Sequence, residues 1–245
     1  MNLLEVQGLR KTYPAFRLED VSFSVPEGAV MGLIGRNGAG KSTTLKSILG
    51  LVHPDAGRVE MFGREFSENE RYIKENIGVV LGGIDFYPKK NVRTITDVTR
   101  RFYSNWQEEK YRHYLDLFAI DENKRVDQLS SGMRVKYLLA LALSHNARLL
   151  ILDEPTSGLD PVSRDELTEL LRRIAADGTR SVLFSTHITT DLEKCASHIT
   201  FIQEGRLQRS DTLAGFMAHY ADLGSTLEEI IVAAERRPYD ADAII

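Results

Sequence analysis

The 245-residue chain has few of the features that mark secreted, membrane-spanning or nucleic-acid-binding proteins. Its single cysteine, Cys195, allows no internal disulfide, which favours a cytosolic compartment, and we interpret this thiol as a packing residue. No apolar run approaches the ~20 residues that span a bilayer, and the first residues do not resemble a secretory signal. A formal net charge of −4 gives no overall attraction for nucleic acid. We therefore expect any membrane role to depend on a partner.

The order of apolar segments predicts an α/β protein. Residues 94–147 have helical periodicity, and a further helix is expected at about 161–177. Apolar runs typical of buried strands flank these helices, an arrangement that favours a parallel sheet with a helical insertion between its strands. A helical tail is predicted over 211–236. The expected strands, beyond two β segments and a PEG turn within residues 1–28, are 29–35, 58–63, 77–81, 149–153 and 181–186.

A phosphate-binding loop is predicted at residues 35–43, where GRNGAGKST matches the pattern G-x-x-x-x-G-K-[ST]. Three glycines allow a tight turn that points backbone N–H groups at phosphate oxygens, and the following helix adds its positive end. Lys41 is expected to reach the β- and γ-phosphates of ATP, and the Ser42 hydroxyl to bind Mg²⁺. The alternative is a surface turn, but the motif lies between a strand and a helix. The expected ATP-binding residues are Gly35, Arg36, Asn37, Gly38, Ala39, Gly40, Lys41, Ser42 and Thr43.

A pair of carboxylates follows a second buried strand, in LLILDEPTSGLD at 149–160. The carboxyl end of a strand in a parallel sheet faces the ligand crevice. Asp153 is therefore expected to hold Mg²⁺, and Glu154 to act as the general base that polarises an attacking water. The alternative is that both acids are solvated and begin a loop.

These motifs, in this order, resemble the ATP-binding-cassette (ABC) ATPase family over residues 1–215. The phosphate loop is similar to the family's Walker A motif and the second strand to its Walker B motif. LSSGM at 129–133 resembles the family signature, usually LSGGQ, which implies that Ser130, Ser131 and Gly132 contact nucleotide. A serine here also suits the N-cap of a helix.

The resemblance implies a fold and a domain division. The expected fold is a RecA-like P-loop NTPase core with an antiparallel β subdomain and an inserted α-helical subdomain at about 84–147. Residues 1–215 would form the ABC ATPase domain, and 216–245 a C-terminal helical tail.

Three further positions match the family. Asp160 lies in a segment that resembles the D-loop, although Asp before Pro161 is also typical of a helix N-cap. His187, after the SVLFST strand, is similar to the switch histidine that contacts the γ-phosphate. Tyr13 lies where family members stack an aromatic ring on adenine, while the alternative for a strand aromatic is core or sheet-surface packing.

Two departures from the family pattern bear on activity. The Q-loop glutamine would fall at Gly82, and no glutamine lies between Gln7 and Gln107. Either a water or a nearby group such as Asp85 would have to replace it. The signature has serine for a glycine and Met133 for glutamine, which predicts weakened or specialised ATPase activity.

The resemblance also implies partners. We expect a head-to-tail dimer, homo- or heterodimeric, that binds ATP and Mg²⁺ at its interface at the cytoplasmic face of the cell membrane. This dimer is expected to drive transport, in the export direction, through separate transmembrane permease subunits. The permease groove would lie near Phe86, Tyr87 and Trp106, although these aromatics equally suit internal packing. A soluble ABC ATPase acting on nucleic acid and a small-molecule kinase are the weaker alternatives. The sequence does not identify the transported substrate.

Overall fold

A computed structural model describes residues 1–81 and 87–236, and in these ranges ten strands form one sheet. Its strand order is β5-β4-β1-β2-β10-β9-β3-β8-β7-β6. The strands are β1 (Asn2–Tyr13), β2 (Phe16–Pro26), β3 (Val30–Ile34), β4 (Ala56–Met61), β5 (Arg64–Glu65), β6 (Ile77–Leu81), β7 (Leu149–Asp153), β8 (Ser181–Thr186), β9 (His198–Gln203) and β10 (Arg206–Thr212).

The α-helices of the described residues lie between and after these strands. None of them is long and apolar enough to cross a bilayer. They are α1 (Lys41–Ile48), α2 (Phe66–Asn76), α3 (Val92–Thr99), α4 (Glu108–Leu117), α5 (Ser131–Ser144), α6 (Pro161–Ala175), α7 (Thr189–Cys195), α8 (Leu213–His219) and α9 (Leu227–Glu235).

The sheet has a parallel part and an antiparallel part. Strands β9, β3, β8, β7 and β6 pair in parallel, and β3, β7 and β8 are buried at every position. Continuous apolar runs are typical of strands covered on both faces. Strands β1, β2, β4 and β5 pair antiparallel and meet the rest where Arg206 of β10 pairs with Glu19 of β2. The expected fold class is confirmed.

Side chains alternate between two cores on the faces of the parallel strands. One core contains α1 and the antiparallel strands, with Leu33 and Ile151 pointing into it. The other contains α5, α6, α7 and α9, with Ile34 and Leu152 pointing into it. Because successive residues of a strand point to opposite faces, β3 and β7 are fixed on both sides, and so are the loops that follow them.

Helices α3, α4 and α5 lie between β6 and β7, where the sequence predicts an inserted subdomain, and they share a third core. Its centre is polar: the Thr96 hydroxyl is 2.7 Å from the Tyr111 hydroxyl and 2.9 Å from that of Tyr137. Trp106 packs beside this core, with its ring 5.3 Å from the Tyr111 ring, whereas Tyr87 is exposed. Phe86 and the expected subdomain start at residue 84 lie outside the described residues.

The predicted helical tail over 211–236 is wrong at its beginning and in its middle. Residues up to Thr212 belong to β10, which pairs antiparallel with β9. The two strands are joined by Glu204 and Gly205, both at positive φ (48° and 77°), as a two-residue hairpin turn requires. Residues 220–226 then separate α8 from α9.

Candidate functional site: a phosphate loop beside two carboxylates

The loop at 35–43 joins β3 to α1 and turns sharply at its glycines. Gly38 has φ 83° and Gly40 has φ 114°, a region that side-chain-bearing residues rarely adopt. A Cβ on Gly40 would lie 2.9 Å from the Phe16 ring, so this position also requires the absence of a side chain. The glycines therefore allow the loop to lead into α1 in close contact with Phe16 and Leu18 of β2.

The beginning of α1 is open to an anion. No side chain caps the helix, and among the hydrogen bonds of the described residues none uses the backbone N–H groups of Lys41 or Ser42. Unsatisfied N–H groups and the positive end of the helix dipole favour a bound phosphate. The beginning of α1 is therefore a candidate anion site.

Lys41 is buried at the start of α1, with its ammonium held by acceptors alone. Its Nζ donates to the carbonyl oxygens of Gly35, at 2.7 Å, and Arg36, at 3.2 Å. It also lies 3.4 Å from Glu154 Oε1. The lysine is therefore fixed by its own loop and reaches the second carboxylate motif.

Asp153 ends β7 and accepts two hydroxyl hydrogen bonds. Ser42 Oγ donates to Asp153 Oδ1 at 3.0 Å, and Ser185 Oγ donates to the same oxygen at 2.6 Å. The sequence analysis missed Ser185. The signal that identifies it is the sheet register, because Asp153 and Ser185 are paired in the parallel β7–β8 ladder.

Glu154 is held between Lys41 and His187. Its Oε2 is 2.9 Å from His187 Nδ1, and its backbone N–H donates to Ser185 Oγ at 2.9 Å. The backbone is left-handed here (φ 50°), which is uncommon for a residue other than glycine. Such strain is retained where the surrounding structure fixes it, commonly at functional sites.

Tyr13 lies at the edge of this site. It is the last residue of β1, pairs in register with Phe16 and is partly exposed. The ring of its partner Phe16 lies close to Gly40 of the phosphate loop. Gly82 and Asp85, where the Q-loop is expected, lie outside the described residues.

A second group of predicted site residues, in the signature segment (129–133) and the D-loop segment (157–160), lies at the starts of α5 and α6. Ser130 caps α5 and accepts the Met133 N–H at 3.2 Å, and Asp160 caps α6 and accepts the Val162 and Ser163 N–H groups at 3.0 Å. Hydrogen bonds from Ser163 lower the pKa of Asp160. In the described residues no hydrogen bond or ion pair links these caps to the phosphate loop of the same chain. The predicted site residues thus divide into two groups.

Comparisons with known proteins identify the family of this chain. The family model described as "ABC transporter" matches residues 18–157. The bacitracin transport ATP-binding protein BcrA of Bacillus licheniformis is 32% identical over 208 residues, which are 84% of this chain and 68% of the relative. The Nod factor export ATP-binding protein I of Burkholderia orbicola (strain AU 1054) is 39% identical over 191 residues, which are 76% of this chain and 62% of the relative. The chain thus spans about two thirds of the length of these relatives.

Solved structures share the fold. The structure of an ATP-binding subunit of an ABC transporter superposes with a TM-score of 0.84 at 28% identity, covering 96% of this chain and all of that one. A dimeric ATP-binding cassette, in a post-hydrolysis state bound to ADP and Pi, has a TM-score of 0.75 at 21% identity, with coverage of 86% and 98%.

Proposed function

The chain belongs to the ABC transporter family as an ATP-binding ATPase, and from this premise we propose that it drives export through separate permease subunits by ATP-dependent dimer closure. The convergence of Lys41, Asp153, Glu154 and His187 carries the proposal. Residues 1–215 would be the ATPase domain, with the helical subdomain at about 84–147, and 216–245 would be a C-terminal tail.

Hydrolysis needs a base for water and positive charge for the phosphates. Glu154 is the base: its carboxylate accepts the proton of the attacking water, and the contact with His187 fixes its direction. The present partners of Lys41 are two carbonyl oxygens and Glu154, and a phosphate oxygen would take the place of Glu154. ATP binding would thus release Glu154 from Lys41 and make its carboxylate available to water.

The residues at Asp153 fit a magnesium ion. Ser42 and Asp153 already lie within hydrogen-bonding distance and offer one hydroxyl and one carboxylate oxygen. Hard oxygen donors of this kind, together with substrate phosphates, are the usual ligands of Mg²⁺. When bound, the ion supplies charge neutralisation at the β- and γ-phosphates. Asp153 would hold its position because Ser185 donates to the same oxygen.

The second group of residues acts on the partner's nucleotide. Ser130, Ser131, Gly132 and Asp160 lie at the beginnings of α5 and α6, and these helix starts offer positive potential. A triphosphate on one phosphate loop still presents its γ-phosphate to solvent. In a head-to-tail dimer, the signature of the other chain would cover that phosphate. Tyr13 would stack on the adenine.

The proposed direction of transport, export, is inferred from the names of two relatives. One is named for bacitracin transport and the other for Nod factor export. Separate permease chains would form the path for the cargo and would hold this protein at the cytoplasmic face of the membrane. The exposed Tyr87 and the partly buried Trp106 are the described members of the expected permease groove.

The decisive experiment replaces the Glu154 carboxylate with an amide of the same shape, which cannot act as a base. In Glu154→Gln, we expect ATP turnover to fall about 10²- to 10⁴-fold while ATP binding is retained, because the amide cannot accept the proton of water. Turnover is measured by phosphate release with Mg²⁺, and binding by equilibrium filtration. Size-exclusion chromatography with ATP should show the variant as a dimer.

Paired lysine variants test the phosphate contact. Lys41→Ala should lose nucleotide affinity, whereas Lys46→Ala, an exposed lysine of the same helix, should not. Turnover in the parent no higher than in Glu154→Gln, or equal ATP binding by Lys41→Ala and the parent, would refute the proposed site.

A further inference from the structure

Glu235 is a buried carboxylate at the end of α9, almost two hundred positions along the chain from the phosphate loop. Its Oε1 accepts the backbone N–H of Arg36 at 3.0 Å, and its Oε2 is 3.8 Å from the Arg36 guanidinium. Burial raises the pKa of the Glu235 carboxyl, opposed by Arg36 and by the charge of Lys41. A buried carboxylate costs free energy unless it is hydrogen-bonded or paired, and both oxygens of Glu235 face Arg36.

The helix that carries Glu235 is held at both ends. At its beginning, Thr226 and Glu229 form a capping box, and Glu193 Oε1 of α7 accepts the Leu227 N–H at 2.7 Å. At its end, Gln203 Nε2 of β9 donates to the Ala234 carbonyl at 3.1 Å. The apolar face of α9 is buried in the core that it shares with α7, and it contacts α7. Glu235 is therefore presented to the loop by a fixed support.

Apart from the contacts of Glu235, the phosphate loop and α9 are separated. An open cavity of about 720 Å³ lies between them, lined by Arg36, Asn37, Gly38, Gln203, Ile231 and Glu235. Within the described residues, the polar contacts that cross it from α9 to the loop are those of Glu235. This carboxylate thus determines where the first turn of the loop lies, and Lys41 bonds to the carbonyl of the same residue, Arg36.

We propose that Glu235 is a positioning residue for the phosphate loop, through which the C-terminal helix sets the affinity for nucleotide. The inference rests on the proposed ATP site. The carboxylate fixes the Arg36 peptide by its N–H, and the carbonyl of that residue fixes Lys41. Its negative charge opposes a triphosphate, while its acceptor oxygen orders the loop that binds one.

Two variants of similar size separate the acceptor from the charge. Glu235→Met keeps the volume and deletes the acceptor, whereas Glu235→Gln keeps an acceptor oxygen and deletes the charge. Glu228→Gln, an exposed glutamate of the same helix, is the matched control. For each full-length variant, the Kd of a fluorescent ATP analogue with Mg²⁺ and the KM and kcat for ATP are measured, together with the melting temperature.

We expect Glu235→Met to raise Kd and KM about threefold to tenfold, the effect of one hydrogen bond, with kcat within about twofold of the parent. Glu235→Gln should bind ATP at least as tightly as the parent, and Glu228→Gln should not differ from it. If Glu235→Met does not fold, Glu235→Asp, which withdraws the carboxylate from Arg36, takes its place with the same expectation.

Other outcomes overturn the inference. A Kd for Glu235→Met within about twofold of the parent, with only a lower melting temperature, would show a purely structural glutamate. Equal changes in Glu235→Met and Glu235→Gln would assign the effect to charge and not to the hydrogen bond. If the parent itself binds no ATP, the proposed function fails and not this inference alone.

Discussion

The Ser185 hydroxyl contacts both acidic residues at the end of β7, Asp153 and Glu154. It donates to Asp153 and accepts the backbone N–H of Glu154, so it fixes one carboxylate and the strained backbone of the other. Through these two hydrogen bonds, Ser185 would influence catalysis by Asp153 and Glu154 without taking part in the reaction itself. Its influence should appear in turnover and not in nucleotide binding.

Replacing Ser185 with alanine tests that role. We expect Ser185→Ala to lower kcat about 10- to 150-fold, since lost hydrogen bonds to a charged group change energies by about 1.5–3 kcal/mol, while Kd for ATP changes little. Steady-state phosphate release gives kcat. The control is Ser181→Ala at the other end of β8, where a buried hydroxyl donates to the Pro26 carbonyl at 2.8 Å. Equal losses of kcat in both variants would indicate a general effect on stability.

Residues of the site differ in how far the sequence predicts them. Lys41, Ser42 and the Asp153–Glu154 pair belong to short motifs, because the geometry that they need is local to one turn or one strand end. Ser185 and Glu235 contact the same site across 32 and 199 positions of the chain, respectively. Their placement depends on sheet register and on the docking of α9, which a short motif does not encode.

At the scale of elements, apolar runs predict the three strands that are buried at every position, whereas neither the apolar strand β9 nor the polar elements α2 and β10 are predicted from the sequence. Strands β3, β7 and β8 are where the sequence analysis expects them, because strands covered on both faces are continuously apolar. Helix α2 was not expected, since it buries a single residue, Ile73, and has few apolar positions to mark it. Strand β10 is not predicted from the sequence, and its last two residues are included in the expected helical tail, because the pairing of β10 with β9 depends on a turn.

The end of α5 contains a histidine that should make stability depend on pH. His145 is buried and stacks on Tyr103 with ring centroids 3.7 Å apart. Burial lowers the pKa of His145 to about 4, from 6.5. Since the unfolded chain then binds the proton more readily, the stabilising effect is complete above pH 6.5 and is lost as the pH falls towards 4.

We expect the free energy of unfolding of the parent to fall, between those pH values, by up to about 3 kcal/mol more than that of His145→Gln. Urea titrations at a series of pH values measure the difference. The glutamine variant is the control, because it keeps a planar side chain and removes the titrating ring. Parallel pH profiles in the two proteins would contradict the expectation.

At the scale of the whole molecule, the site residues form two separate groups, and a head-to-tail dimer would bring them together. The prediction can be tested by mixing two inactive variants. Lys41→Ala disables the phosphate loop of its own chain. Gly132→Asp adds a carboxylate at the start of α5, where the helix dipole stabilises it but where it would repel the phosphate of the partner's ATP.

Each variant alone should hydrolyse ATP poorly, and a mixture should recover about a quarter of the parent activity, because half of randomly paired dimers keep one intact site. Phosphate release against mixing ratio measures the recovery. Gly132→Ala is the steric control, since its Cβ would meet Ser163 at 3.4 Å. A mixture no more active than its components would contradict a homodimer with shared sites.

The left-handed backbone of Glu154 has a consequence for how this protein can be altered. A residue with a side chain in that conformation reduces stability by roughly 1–3 kcal/mol relative to one that tolerates it. Glycine at position 154 would relax the chain and abolish its chemistry in the same step. Selection for heat resistance alone therefore favours molecules that no longer turn over ATP, and any stabilisation of this protein has to be screened for activity at the same time.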